Sequence, residues 1–198
     1  MLPFLCYNQR NRWKGVVAVP KNDNAHSLRM TAAIREVMGE SAAADFEVRF
    51  ALSKAAGIEK KFQWAQAACQ DLTARFDTDT LLRLREKCIC NDGASTAKLL
   101  TKYRNEAGSL QGMVDLFNSR ETFAWLEYIS ERELIFCYPQ CYCGCVKRVE
   151  GRLPEAWCYC TVGYAKKLFG QLLGVPVRAQ LLESLKTGGK RCAVRVMW

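Results

Sequence analysis

The sequence predicts an α+β fold, a helical N-terminal half packed on an antiparallel sheet of hairpins with a crossing helix. Three observations carry that reading. From Met30 to Glu106 apolar residues recur at three- and four-residue spacing, after about Glu121 the chain turns to short alternating, aromatic-rich runs, and one further helical stretch falls between two such runs. A helical block leading into hairpins is the α+β pattern, and 198 residues suffice for one compact core.

Residues 1–29 show neither period and end in the polar "KNDNAHS", so they read as a poorly ordered arm, with a basic arm carrying Arg10, Arg12 and Lys14 as the alternative. The helical region runs over 30–119. It comprises "TAAIREVMGESAAADFEVRFALSKAAG" and "IEKKFQWAQAACQDLTARF", separated at Gly57, and "DTDTLLRLREKC", which opens with cap residues and an acidic first turn. After "CICNDG" come "NDGASTAKLLTKYRNEAG", ending on Gly108, and the short "LQGMVDLFNS". The region 120–198 is cysteine-rich α+β and forms one compact domain with the helices. "ETFAWLEYIS" and "ELIFCYP" make a hairpin around "ER", and "TVGYAKKLFGQLLG" is a helix with Gly174 near its end. "VPVRAQLLESLKTGGKRCAVRVMW" makes a second hairpin around "TGGK".

Composition narrows the function. With 49% hydrophobic and 25% charged residues the chain is neither disordered nor membrane-like, and no apolar run approaches the roughly 20 residues that span a bilayer. "LPFLC" is too short for a secretory h-region, which points to the cytoplasm. There, eleven cysteines are not a disulfide framework, and metal ligation or thiol chemistry moves forward. Net charge is +9, and from Cys141 to Trp198 ten Lys/Arg face three Glu. That excess answers either nucleic acid or the negative charge of ligating thiolates; the second is favoured, because no helix-turn-helix, RNP or C2H2 signature accompanies it.

The constellation is Cys88 and Cys90 at a helix junction, Cys141, Cys143 and Cys145 in "CYCGC", and Cys158 and Cys160 in "WCYC". Cys137 and Cys192 fall on predicted strands, and Cys6 and Cys69 stand alone as small buried hydrophobes. Close pairs are C-x-C rather than the C-x2-C of a zinc turn. In extended backbone such residues share a face with Cβ atoms roughly 6.5 to 7 Å apart, wide for one ion and better suited to the separate irons of a cluster. An iron–sulfur cluster therefore leads, zinc follows because Gly144 offers a bend, and unmetallated thiols come after. The first ligand set is Cys88, Cys143, Cys158 and Cys160, with Cys90, Cys141 and Cys145 as substitutes or a second set.

Cys160 precedes a predicted helix, where the dipole favours thiolate, and is a candidate ligand or nucleophile. Lys166 and Lys167, in that helix, would neutralise a cluster or bind an anion, or else form a solvated face. Glu183, in an apolar strand, is a candidate general acid, against the plainer reading as a satisfied structural carboxylate. His26, the only histidine, falls in the arm, so schemes needing a histidine base have none.

The last forty residues, with their cysteine segment, Gly163-Tyr164 opening a helix, Glu183 on a strand, the Gly188-Gly189 turn and Cys192 on the last strand, resemble 4-vinyl-reductase-like domains and L-2-amino-thiazoline-4-carboxylic acid hydrolases. From Ile34 onward, "REVMGESAAADF", "REKCICN", "CYCG" and "CYC" resemble a bacterial family of uncharacterised cysteine-rich proteins. The first resemblance implies an antiparallel sheet backed by helices with a small-molecule pocket between them, Tyr164 beside it. Hydrolysis of a small cyclic substrate, with Cys160 and Glu183 in catalysis, is a further implication. The extra C-x-C pairs depart from the simpler cysteine pattern of vinyl-reductase-like domains.

The expectation is thus a cysteine-ligated metal protein with a small-molecule pocket. A small-ring hydrolase and a zinc-dependent nucleic-acid module are the alternatives. A homodimer is compatible with the sequence, and a membrane partner is not expected.

Overall fold

A computed structural model describes residues 21–198, so the basic-arm reading of Arg10, Arg12 and Lys14, and Cys6, lie outside the described residues. Helix α1 spans Ala25–Met38; the Asn24 side chain accepts the His26 backbone N–H at 2.9 Å and starts the helix ahead of Met30. This corrects the arm boundary: Ala25 to Arg29, with His26, are helical. Gly39, at φ 92°, breaks the expected long helix, and α2 follows as Glu40–Arg49.

Helix α3, Ile58–Arg75, turns Phe62, Ala65, Ala68, Cys69 and Leu72 inward. Helix α4, Thr78–Glu86, is capped by Asp77, whose carboxylate accepts the Thr80 N–H at 2.7 Å. Helices α5, Ala94–Ala107, and α6, Leu110–Arg120, meet at Gly108, which takes φ 72° as the sequence stop predicts. Strands β1, Trp125–Ser130, and β2, Glu133–Tyr138, form the first hairpin. An irregular stretch then leads to a 3-10 turn, Glu155–Tyr159, which runs into α7, Cys160–Leu173. Strands β3, Arg178–Glu183, and β4, Cys192–Met197, complete an antiparallel sheet of order β1-β2-β4-β3. The two hairpins are joined through β2 and β4, with Phe136 opposite Val194. The α+β expectation holds.

The interior divides in two. One core packs the inner face of the sheet (Leu126, Leu134, Phe136, Val194, Val196) against Leu100, Met113, Phe117, Leu168 and Phe169 of α5, α6 and α7. The other packs α1 to α4 against the irregular stretch and contains Met30, Phe46, Leu84 and Trp157 together with Cys69, Cys88, Cys145 and Cys158. Helices α4 and α7 cross between them so closely that a Cβ on Gly163 would lie 1.9 Å from the Glu86 carbonyl oxygen. That is why a glycine opens this helix. Among the described residues no helix is long and apolar enough to cross a membrane.

Candidate functional site

Between the end of α4, the start of α7, β2 and the irregular stretch lies a cavity of about 380 Å³. Six thiols reach its wall: Cys90, Cys141, Cys143, Cys158, Cys160 and Cys192. Phe123, Tyr138, Tyr142, Trp157 and Tyr164 join them, so the cavity is largely apolar, with aromatic rings and sulfur on its wall.

The C-x-C pairs are not extended. The Cys143 carbonyl accepts the N–H groups of Val146 and Lys147, which puts Cys143 and Cys145 in a turn, and Cys158 and Cys160 straddle the junction of the 3-10 turn with α7. The wide-spacing argument that placed a cluster ahead of zinc therefore loses its premise.

The thiols fall into two groups. Burial pushes the Cys160 thiol up to about 12 against the opposing pull of Arg85, and the thiols whose charge acts on it are Cys143, Cys90 and Cys88. Cys160 is only partly covered because it faces the cavity, yet it lies deep enough for burial to dominate the helix-terminus effect expected for it. Its Sγ donates to the Trp157 carbonyl at 3.7 Å. Cys90 shares this neighbourhood: burial raises its pKa, Arg29 opposes, and Cys143 raises it further. The second group gathers around Ser184, whose Oγ donates to Cys158 Sγ at 2.9 Å. Burial holds Cys158 well above the ordinary thiol value against that hydrogen bond, with Cys160, Cys192 and Cys141 raising it further. Of the first-choice set, Cys143, Cys158 and Cys160 line the cavity and Cys88 does not.

Cys88 lies off the cavity wall, buried, its Sγ 3.6 Å from the Leu84 carbonyl oxygen. Cys145 is also off the wall and donates to the Lys61 carbonyl at 3.6 Å. Among the described residues no three His, Cys, Asp or Glu side chains already stand at metal-ligand separation, so binding would require the thiols to turn inward together.

Three cations accompany the thiols. Arg85 is 4% exposed, stacks over Trp157 at 4.6 Å, and donates Nε to the Ala156 carbonyl at 3.2 Å and a terminal nitrogen to the Trp157 carbonyl. Burial works against its charge, and it is negative charge on the facing sulfurs of Cys88, Cys160, Cys69 and Cys143 that raises the guanidinium pKa. Arg29 donates to Cys90 Sγ at 3.3 Å. Lys186, 8% exposed, lines the cavity and donates to the Val149 carbonyl. Among the described residues none of the three has a carboxylate within ion-pair distance.

Sequence reasoning missed these cations and His26. The His26 ring Nδ1 lies 3.8 Å from Cys90 Sγ and 3.3 Å from the nearer Arg29 terminal nitrogen. Burial, reinforced by Arg29, Arg85 and Lys61, pushes its pKa down to about 4, so the imidazole is neutral at physiological pH. The readable signal was Asn24 as a helix cap, which places His26 in a first turn.

Other candidates move away. Lys166 and Lys167 line a separate surface groove, where Lys166 pairs with Glu86 at 2.7 Å, and so do not face the thiols. Glu183 is absent from the cavity wall; it accepts the Lys190 N–H at 2.6 Å and pairs with Arg191 at 3.4 Å, bracing the turn before β4. It is a satisfied structural carboxylate, the plainer of its two readings. Tyr164 does line the cavity, its hydroxyl 3.4 Å from Thr96 Oγ1, and Cys192, read only as a strand residue outside the constellation, lines it too.

A family model described as "Family of unknown function (DUF6144)" matches residues 25–198, beginning where α1 begins. No curated protein matches the chain. Among solved structures, the chain is similar to a trafficking protein particle complex subunit 3 from Naegleria fowleri covalently bound to palmitic acid, at 12% identity and a TM-score of 0.41, covering 71% of this chain and 93% of that one. It is similar also to the H-NOX domain from Shewanella oneidensis in the Fe(II)CO state (12%, TM-score 0.40, covering 88% and 97%). An H-NOX protein mutant from K. algicida in the Fe(II) unliganded state gives 13%, a TM-score of 0.42, and coverage of 88% and 96%. At these scores the likenesses carry nothing about ligand or activity.

Proposed function

We propose that this chain, which belongs to the DUF6144 family of unknown function, is a thiolate-ligated metal protein whose centre borders a small-molecule cavity. The observation that carries the reading is the set of cations without carboxylates around a thiol-lined space. Arginine cannot shed its proton, and a buried unpaired charge costs several kcal/mol, on the order of 3 to 5 by mutation. Neutral thiols offset none of that cost. Cys88 is buried, Cys160 partly covered and Cys90 at the exposed rim, yet the partial desolvation of each raises its pKa, so all three stay protonated by themselves. A bound metal deprotonates its thiols outright, and a centre with three or four thiolates is then the anion that Arg85 and Arg29 face.

The ligands assigned, from three segments, are Cys90, Cys143 and Cys160, which line the cavity, with Cys88 behind the wall as a further thiol. Either zinc or an iron–sulfur cluster suits this donor set, because both take thiolate and both leave a net negative centre. The second thiol group, Cys141, Cys158 and Cys192, faces the same cavity with Lys186. The buried indole Nε1 of Trp157 has no hydrogen-bond partner among the described residues. A small, flat, largely apolar molecule fits the aromatic wall, in keeping with a cavity of the vinyl-reductase-like type. The hydrolase alternative keeps Cys160 in the cavity and loses Glu183 as its partner.

The test is iron, zinc and acid-labile sulfide per chain in protein purified without oxygen and without added metal. Stoichiometric zinc without sulfide, or iron with matching sulfide, supports the reading. Protein that carries neither, and takes up neither when reduced, rejects it.

A further inference from the structure

We infer that the cavity takes a small planar molecule of the neutral ketone class, its carbonyl oxygen bound by the Tyr138 hydroxyl with the Tyr164 hydroxyl beside it. The inference rests on the small-molecule half of the reading above and names the chemistry that the cavity accepts.

Topology brings the two phenols together. Tyr138 ends β2 opposite Cys192 of β4, on the sheet face that carries Phe136 two residues earlier. Tyr164 lies one turn beyond Cys160 on α7, so those two side chains share a helix face. Both phenol rings pack on Phe136, Tyr138 edge-on at 4.7 Å and Tyr164 stacked at 6.3 Å, and both line the cavity. The sheet and the helix thus present their hydroxyls to one space.

The hydroxyls differ from that of the third phenol on the wall. Tyr142 donates to the Phe123 carbonyl at 2.9 Å, a full hydrogen bond to a backbone acceptor. Tyr164 reaches Thr96 Oγ1 only at 3.4 Å, beyond the ordinary range for two hydroxyls. Burial holds the Tyr138 phenol in its protonated form, well above its ordinary value, and the groups that add to this are Tyr164, Cys192 and Cys160, all on the cavity wall. The hydroxyl that acts on Tyr138 is therefore another phenol, itself loosely held. A phenol oxygen accepts less strongly than a carbonyl oxygen, and a hydroxyl rotates to suit its partner, so an entering carbonyl takes the Tyr138 hydrogen bond without breaking a strong one.

Charge selects a neutral acceptor. Rings and thiols make up most of the wall, and the ammonium of Lys186 is already held by the carbonyl of Val149, a residue off that wall. A carboxylate buried beside Tyr138 would lose its water without gaining a free cation, whereas a ketone oxygen needs only the one donor.

The flat bicyclic probes 1-indanone and indane, which differ by a carbonyl, test the inference on the full chain purified without oxygen. Both should bind the wild type. Tyr138→Phe keeps the ring and removes the hydroxyl, so it should weaken 1-indanone about 5- to 10-fold, the loss of one neutral hydrogen bond, and leave indane unchanged. In the infrared, the carbonyl stretch of bound 1-indanone should lie at lower wavenumber in the wild type than in Tyr138→Phe, a difference that altered packing alone would not produce. Unchanged indane binding also shows that the variant is folded. Tyr138→Phe that weakens both probes equally, or neither, overturns the inference and leaves the cavity reading standing. Wild-type chain that binds neither probe overturns the inference together with the small-molecule cavity, while its metal content tests the thiolate centre independently.

Discussion

The two cores of this molecule are closed by different chemistry. Between α5, α6, α7 and the sheet, Leu100, Phe117, Phe136, Phe169 and Val194 pack as hydrocarbon with no cysteine among the buried members. Between α1 to α4 and the irregular stretch, Cys69, Cys88, Cys145 and Cys158 are part of the packing and Arg85 is buried alongside them. Among the described residues, the second leaves Arg85, Arg29 and Lys186 without a carboxylate partner and the Trp157 indole N–H without an acceptor, which fits a region finished by something it binds.

The largest effect expected on the hydrocarbon side is from Phe136→Ala, which removes a fully buried ring from the centre of the sheet. It should cost about 3–5 kcal/mol in denaturant melts, equally with and without chelator. If chelation changed that cost, the two cores would not be separate.

Arg85→Met is the matching change on the sulfur side. Both forms lose the bonds to the Ala156 and Trp157 carbonyls, but only the metal-loaded form also loses a counter-ion. The cost in loaded protein should exceed that in chelated protein by about 3 kcal/mol. Equal costs would mean that no anionic centre faces Arg85.

Gly163→Ala strikes the seam between the cores, since its Cβ would overlap the Glu86 carbonyl. Separation of α4 from α7 should cost about 1–3 kcal/mol and weaken metal binding, because Cys160 moves with α7 while Cys88 and Cys90 follow α4. Unchanged metal affinity in a destabilised variant would show that the ligands do not depend on this crossing. The smallest effect is assigned to Glu183→Gln, a barely shifted thermal melt and no change in metal content, because the Arg191 pair is partly solvated.

What was legible in the sequence follows the same division. The hydrocarbon core is built from periodic elements, so the helices ending at Gly108 and Gly174 and both hairpins could be read from spacing and stop signals. The irregular stretch has no period, and a C-x-C pair there can be extended or turned. Only the folded chain shows Cys143 in a turn and Cys158 directed to Ser184. Arg85 in "LLRLREKC" shares the helix face of Leu81, Leu84 and Cys88, unlike exposed Arg83 and Lys87, a spacing signal that the sequence reading did not use. His26 was discounted because "KNDNAHS" looks like a linker; the asparagine that makes it polar is the cap that makes it helical. Lys166, Lys167 and Glu183 were placed on the right elements, but side-chain direction depends on which face each element buries.

The central claim is that the second core closes on a bound metal. Hydrogen exchange by mass spectrometry, on anaerobically purified protein before and after chelation, tests it most directly. The account predicts that chelation strips protection from the segment around Cys141–Cys145, from the end of α4 and from the Cys158–Cys160 junction, while β1 to β4 and α5 to α6 keep theirs. Protection that is unchanged by chelation, or lost uniformly across both cores, would contradict it.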